Sequence, residues 1–260
     1  MKPLDHSSLL KTALGAVLEA AKLAENAAAS TAVQQKESLR DIVTATDHLI
    51  SELLMRRLAA TGLPVISEED SGVPAQNSSA YWVVDPIDGT VNFAHGLAAY
   101  AVSVGLMENA DCRLGVVCAP KLDELYFTLN PEKALRNGRP FTHLHRGVDE
   151  ALVAASFSAK AGSSQYELFQ RVNESTRGVL RTGSAALNVC WAAVGKLQAA
   201  YGFDARLWDV AGALAVAHAA GCEVRLKRQA DPLRLDYFVG SHDVVEHLSA
   251  LASDLKLSTR

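Results

Sequence analysis

The chain has 260 residues, 49% of them hydrophobic, and a formal net charge of −4, enough to bury one large core or two closely joined ones. No run of Lys or Arg is long enough to suggest nucleic-acid binding, and charge or Gly interrupts every apolar run before the ~20 residues of a membrane span. The N-terminus Met1-Lys2-Pro3-Leu4-Asp5-His6 lacks the apolar stretch of a secretory signal, and Cys112, Cys118, Cys190 and Cys222 form no Cys-x-x-Cys pair; a cytoplasmic protein with reduced core thiols is expected.

Apolar side chains at Leu10, Leu14, Val17, Leu18, Ala21 and Ala24 recur at helical spacing over 7–28. The polar segment 28–38, which holds Lys36, reads as a loop. Thr46 or Asp47 can cap a second helix carrying Leu49, Ile50, Leu53, Leu54 and Leu58, which Gly62 ends. Short β-rich segments follow at 64–67, 81–85, 99–107, 113–119 and 124–129, with a hairpin turn at Pro120-Lys121-Leu122-Asp123. The polar stretch 130–149, with Gly138, Pro140 and Gly147, is the expected boundary between a first unit (1–145) and a second (146–260). In the second unit, strands at 151–156, 198–203, 223–226 and 237–240 alternate with helices at 165–176, 184–194, 209–220 and 242–253. Helices first, then strands, then an alternating half predicts two α/β units stacked in layers.

Acidic residues gather at strand ends. Asp41 with Thr44 and Asp47 forms one cluster, Glu68-Glu69-Asp70 a second after an apolar strand, and Asp85 with Asp88 a third. Within Asp85-Pro86-Ile87-Asp88-Gly89-Thr90, Pro86 stops the strand and the tight chain returns Asp88 toward Asp85. Two anions so close repel unless a cation lies between them. Gly89 clears the approach of a ligand to the backbone, and Thr90 can open a short helix whose free N–H groups face a phosphate. An Asp- and Gly-containing surface turn is the alternative, but the apolar flanks Val83-Val84 and 98–106 argue for burial, where unpaired carboxylates are costly. Far downstream, Asp209 opens a helix after Trp208, where an acidic residue is also an ordinary dipole partner.

The segments Asp41-Ile42-Val43-Thr44-Ala45-Thr46-Asp47, Ile66-Ser67-Glu68-Glu69, Trp82 through Phe93, Gly183-Ser184-Ala185-Ala186 and Trp208-Asp209-Val210-Ala211-Gly212 together resemble the inositol monophosphatase family in order and spacing. The resemblance implies an αβαβα sandwich of the inositol monophosphatase and fructose-1,6-bisphosphatase type, a homodimer, lithium sensitivity and two or three Mg²⁺ ions. It implies that Glu68, Asp85 and the Ile87 carbonyl hold one ion and Asp85, Asp88 and Asp209 a second. Thr90 with Asp41 or Glu69 would orient and deprotonate the attacking water. Asp88, Gly89, Thr90, Ser184, Ala185, Arg206 and Asp209 would line the substrate site, and Lys36 falls in a loop that closes near the metals in relatives. The substrate expected is a small phosphorylated polyol or sugar, with no membrane or nucleic-acid partner.

Two departures bear on specificity. Family members acting on inositol phosphate commonly carry Glu seven residues before the Asp of the Trp-Asp pair, and Gly202 stands there; Asp204 is the nearest carboxylate. The Gly-x-Gly-Ala turn usual after the central hairpin is replaced by a shortened stretch at 130–138. A bisphosphate nucleotidase, a histidinol-phosphate phosphatase and a regulatory partner-binding protein are the alternatives. His95 reads as a rim residue and His143 and His145 as solvated linker residues; Trp82, Trp191 and Trp208 read as core.

Overall fold

The computed structural model describes residues 4–27, 33–35, 42–70, 78–157 and 162–257. Helix α1 (His6–Asn26) starts at Asp5, whose carboxylate accepts the Ser8 N–H, and buries Leu9, Leu10, Ala13, Ala16, Val17, Ala20, Ala21 and Ala24 along one stripe. Strands β1 (Val33–Gln35) and β2 (Ile42–Thr44) pair antiparallel. Helix α2 (Ala45–Ala59) begins two or three residues earlier than the sequence suggests, because Thr44 is its N-cap and Asp47 closes a capping box with it.

A seven-stranded sheet follows. Strand β3 (Val65–Ser67) lies parallel to β4 (Ala80–Asp88); a short helix α3 (Thr90–Ala94) leads to β5 (Ala101–Glu108), then β6 (Asp111–Ala119), β7 (Glu124–Asn130), β8 (Lys133–Arg136) and β9 (Arg139–Phe141), in sequential order. The expected boundary at 130–149 is therefore partly wrong, since β8 and β9 extend the first sheet and the connection starts only after Phe141. Their hairpin is polar because it is a sheet edge facing water. His143, expected to be solvated, is buried in that connection: its ring nitrogens meet Ala192 O at 2.9 Å and Ser241 Oγ at 2.8 Å.

The second half comprises β10 (Leu152–Phe157), α4 (Ser163–Ser175), β11 (Gly178–Leu180), α5 (Ala185–Ala193), β12 (Ala199–Arg206), α6 (Leu207–Ala219), β13 (Glu223–Arg228), β14 (Arg234–Gly240) and α7 (His242–Asp254). Its sheet runs β11-β10-β12-β14-β13, with β11 and β12 parallel to β10. Strand β11 has three residues and carries no periodicity to read, which is why the sequence does not announce it.

Helices α1 and α2 cover one face of the first sheet, α5 and α6 fill the space between the sheets, and α4 and α7 cover the far face of the second. That stacking is the expected αβαβα sandwich. Helix α6 presses directly on β5 and β6 through bare backbone. A Cβ at Gly105 would come within 2.8 Å of Gly212 N, one at Gly212 within 2.6 Å of Val104 O, and one at Gly115 closer still to Gly212. No helix among the described residues is long and apolar enough to cross a membrane.

The first sheet is tied to α5 through Glu124, a buried carboxylate that accepts from Tyr126 Oη (2.9 Å), Arg136 Nη2 (2.7 Å), Trp191 Nε1 (2.8 Å) and Lys196 Nζ. Burial alone would push its carboxyl up, but the Lys196, Trp191 and Tyr126 donors hold it below the ordinary range. Glu124→Ala strands several donors at once and is expected to cost about 3 kcal/mol. Urea denaturation checks this, and a loss below about 1 kcal/mol would mean that the donors find other partners.

Candidate metal centre

The centre is built from a defect in a strand. Residues three apart on a regular strand point to opposite faces. In β4, however, Asp85 pairs with Ser103 and Asp88 with Ala101, so one extra residue is inserted where Pro86 and Ile87 interrupt the ladder. The insertion turns Asp85 and Asp88 to the same side, toward α5 and α6, while Trp82, Val84 and Ile87 pack toward α1 and α2. Glu68 reaches the same place from the end of β3, where its N–H donates to Val84 O at 3.2 Å. Asp209 arrives from the other half, in the first turn of α6, with Oδ2 3.3 Å from Arg206 N.

Electrostatics show that these side chains share one field. Burial pushes the Asp85 carboxyl well above the usual range, followed in effect by the charges of Glu68, Asp88, Asp209 and Asp47. Asp209 is raised by burial, then by Asp88 and Glu68. Asp85 Oδ1 is buried with no hydrogen-bond partner among the described residues. An orphaned carboxylate oxygen among other carboxylates is a strong reason to place a hard cation there, and an all-oxygen donor set suits Mg²⁺ rather than a thiol-seeking metal.

Asp88 is held differently. Oδ2 accepts from Ser184 Oγ and from Ala186 N (2.8 Å), and Oδ1 from Ala185 N (3.1 Å), so the N-terminus of α5 grips it. Ser184 and Ala185, expected along the substrate cleft, thus stand against this carboxylate. No three His, Cys, Asp or Glu side chains among the described residues enclose a single point as a finished metal cage. Glu68, Asp85, Asp88 and Asp209 converge from three elements without closing on one ion.

Thr90 Oγ1 lies 3.2 Å from Asp47 Oδ1 and 3.0 Å from the Ile87 carbonyl. This adds a carboxylate to those expected beside Thr90. Asp47, read as a possible helix cap, is the carboxylate that Thr90 meets; Asp41 and Lys36 lie outside the described residues. Asp47 Oδ2 caps α2 by accepting from Thr44 N at 2.9 Å and from Thr44 Oγ1, while Oδ1 faces Thr90. The signal for it was present as a Thr-x-x-Asp capping box, which marks a buried acid at position 47. Burial raises the Asp47 carboxyl against the Thr44 bonds. Glu69, the other expected partner, lies 3.8 Å from His48 Nδ1 and adds its charge to the field at Asp47.

Asn92 braces the two halves. Its Nδ2 donates to Ala99 O at 2.6 Å in the first half and to Thr182 O at 2.8 Å in the second. A Cβ at Gly183 would collide with that amide at 2.8 Å, and Gly183 also has φ +92, so only glycine fits there. Gly89 takes φ +96 at the start of α3, opposite Gly183 O and Ser184. Arg206 has Nη1 3.3 Å from Asp231 Oδ2 and its guanidinium over the Trp208 ring at 5.3 Å. Asp204 does not stand in for the missing Glu. It has φ +53 beside the irregularity between Gly202 and Ala205, and pairs outward with Arg234 Nη1 at 2.6 Å.

The family model for inositol monophosphatases matches residues 5–255. The chain belongs to the inositol monophosphatase family. Inositol-1-monophosphatase from Mycobacterium bovis is 37% identical over 209 residues, spanning 75% of this chain and 72% of the relative. Among solved structures, SuhB of Mycobacterium tuberculosis superposes with a TM-score of 0.77 at 28% identity, over 96% of this chain and 98% of that one. The extragenic suppressor protein suhB of Bartonella henselae superposes at 0.85 over 94% and 98%, but at 24% identity this shows the fold alone. As a member of the inositol monophosphatase family, the chain is a phosphoric monoester hydrolase.

Burial pushes the Asp88 carboxyl up to about 6 against the pull of Ser184, Ala186 and Ala185. A carboxyl raised in the folded state supports the fold while protonated and ceases to once ionised. Without divalent cations the protein is therefore expected to lose about 3 kcal/mol through this group as pH rises from about 4 through about 6. Urea denaturation across that window measures it. The stability of Asp88→Asn relative to wild type has to grow with pH, and a constant difference would contradict this account of the carboxylate.

Proposed function

We propose that the protein is a magnesium-dependent phosphomonoesterase that hydrolyses inositol monophosphate or a similar small polyol phosphate. The observation that carries the reading is the orphaned Asp85 oxygen surrounded by the charges of Glu68, Asp88 and Asp209. Glu68, Asp85 and the Ile87 carbonyl would hold one Mg²⁺, and Asp85, Asp88 and Asp209 a second. Bound cations of this kind supply charge to the phosphoryl oxygens and make water easier to deprotonate.

The chain's own groups supply the rest. Thr90 and Asp47 form a proton path: the attacking water gives its proton to the Thr90 hydroxyl oxygen as Thr90 passes its own to Asp47 Oδ1. The raised carboxyl of Asp47 makes it a better base than an exposed Asp. The new bond forms between the water oxygen and phosphorus, and the phosphorus–alkoxide bond breaks on the opposite side. The leaving alkoxide takes a proton from solvent. Gly89 leaves the backbone of α3 open to phosphate oxygens, and Asn92 keeps the two halves at a fixed separation while substrate binds.

Phosphate release with Mg²⁺ tests the reading on inositol 1-phosphate, glycerol 2-phosphate, adenosine 3′,5′-bisphosphate and histidinol phosphate. Turnover of the polyol phosphates that a chelator abolishes is expected, with lithium inhibiting. No release from any of the four would overturn it, and preference for the bisphosphate or histidinol phosphate would move the substrate class. Thr90→Val should retain the fold and lower kcat by roughly 10²-fold or more, with little change in KM. An unaltered kcat would remove Thr90 and Asp47 from the proton path.

A further inference from the structure

Ser103 on β5 stands directly opposite Asp85 in the β4–β5 pair. Side chains opposite one another across an antiparallel pair leave the sheet on the same face, with Cβ atoms about 4.5–5.5 Å apart. The alternation along β5 agrees. Val102 and Val104 pack with α1 and α2, whereas Ala101 joins the core around α5 and α6, and a Cβ at Gly105 would strike Gly212 of α6. Ser103 therefore points between the two sheets, into the layer that holds Asp85. Helix α6 fixes where its hydroxyl lies, because a Cβ at Gly212 would come within 2.9 Å of Ser103 Oγ. Gly212 follows Asp209 by one turn, so the two share a face of the helix. The hydroxyl has Asp85 as its neighbour in the sheet and the Asp209 face of α6 above it.

Ser103 is fully buried, and its Oγ has no hydrogen-bond partner among the described residues. Asp85 Oδ1, across the strand pair, is orphaned in the same way. Each atom is costly to leave unpaired, and the two are complementary, since a hydroxyl can donate and a carboxylate accepts. A turn of the Ser103 side chain among its staggered positions moves Oγ relative to Asp85 without moving the backbone. Tyr100 and Tyr201 also bury unpaired hydroxyls, but they pack toward α1 and α2 and toward α4 and α7. Ser103 instead shares its face with a carboxylate that lacks a donor.

We infer that Ser103 is the positioning residue for Asp85: its hydroxyl donates to the Asp85 carboxylate when that group holds a divalent cation, and so fixes how the carboxylate meets the ion. The inference rests on the metal centre of the phosphomonoesterase reading and adds to it a residue that orients a ligand without being one. It also gives a reason for the bare Gly212, where a side chain would take the space of the hydroxyl.

The test follows the thermal midpoint of the full chain through a Mg²⁺ titration without substrate, in wild type, Ser103→Ala and Tyr201→Phe. Ser103→Ala removes an unpaired hydroxyl, so its midpoint in chelator should stay level or rise. The Mg²⁺ concentration that gives a fixed rise in midpoint is expected to increase about 10-fold or more. Tyr201→Phe removes an unpaired hydroxyl on another face and should match wild type. Phosphate release from inositol 1-phosphate by Ser103→Ala should need more Mg²⁺ by the same factor. An unchanged Mg²⁺ requirement in Ser103→Ala, an equal shift in Tyr201→Phe, or a lowered midpoint of Ser103→Ala in chelator would overturn the inference. A wild-type midpoint that Mg²⁺ does not move would overturn the metal centre, and the role of Ser103 with it. The expected shift with no phosphate released would uphold Ser103 and overturn the phosphomonoesterase reading alone.

Discussion

Four carboxylates from three separate elements lie within one another's field, and the burial of Asp85 and Asp88 makes it costly for all of them to ionise without a counter-charge. That constraint organises the rest of the molecule. The bulge in β4 exists to turn Asp85 and Asp88 the same way, and the glycine contacts of α6 with β5 and β6 bring Asp209 down onto the first sheet. The N-terminus of α5 grips Asp88, which offsets part of its desolvation by giving its oxygens strong donors. Asp85 receives no such help at Oδ1, and so it is the group with most to gain from a cation.

The same arrangement explains why the two halves meet as they do. Each half has a sheet and its own outer helices, yet the centre is complete only between them. Asn92 reaches from the first half to Thr182 in the second, and Gly183 is bare so that the amide fits. The bonds among Thr182, Asn188 and Ser156 continue inward from that contact, with Thr182 Oγ1 donating to Asn188 Oδ1 at 2.6 Å and Asn188 Nδ2 to Ser156 Oγ at 3.0 Å. A polar chain thus leads from the inter-half brace to Ser156 on β10.

Family membership fixes the reaction class but leaves the alcohol half of the substrate to local structure. Gly202 brings no charge to its position, and the Tyr237 ring occupies the space a side chain there would need.

Much of this was legible in the linear chain. The apolar periodicity of α1 and α2, the β-rich runs, the hexapeptide 85–90 and the Trp208-Asp209 helix start follow from local preferences, which act between residues close in sequence. The same locality identified Glu68, Asp85 and Asp88 as candidates, because an acid at a strand end beside apolar residues is conspicuous wherever it folds, whereas Asp209 at a helix start stood out only through the family resemblance. Partnership was not legible. That Thr90 meets Asp47, that Ser184 holds Asp88, that Asp204 turns away and that Tyr237 covers Gly202 depend on distances between residues 30 to 100 positions apart, or on a single bulge that rotates the chain. Sequence determined which side chains could do the chemistry. Tertiary packing alone decided which of them touch, since contact is a property of the folded space and not of spacing along the chain.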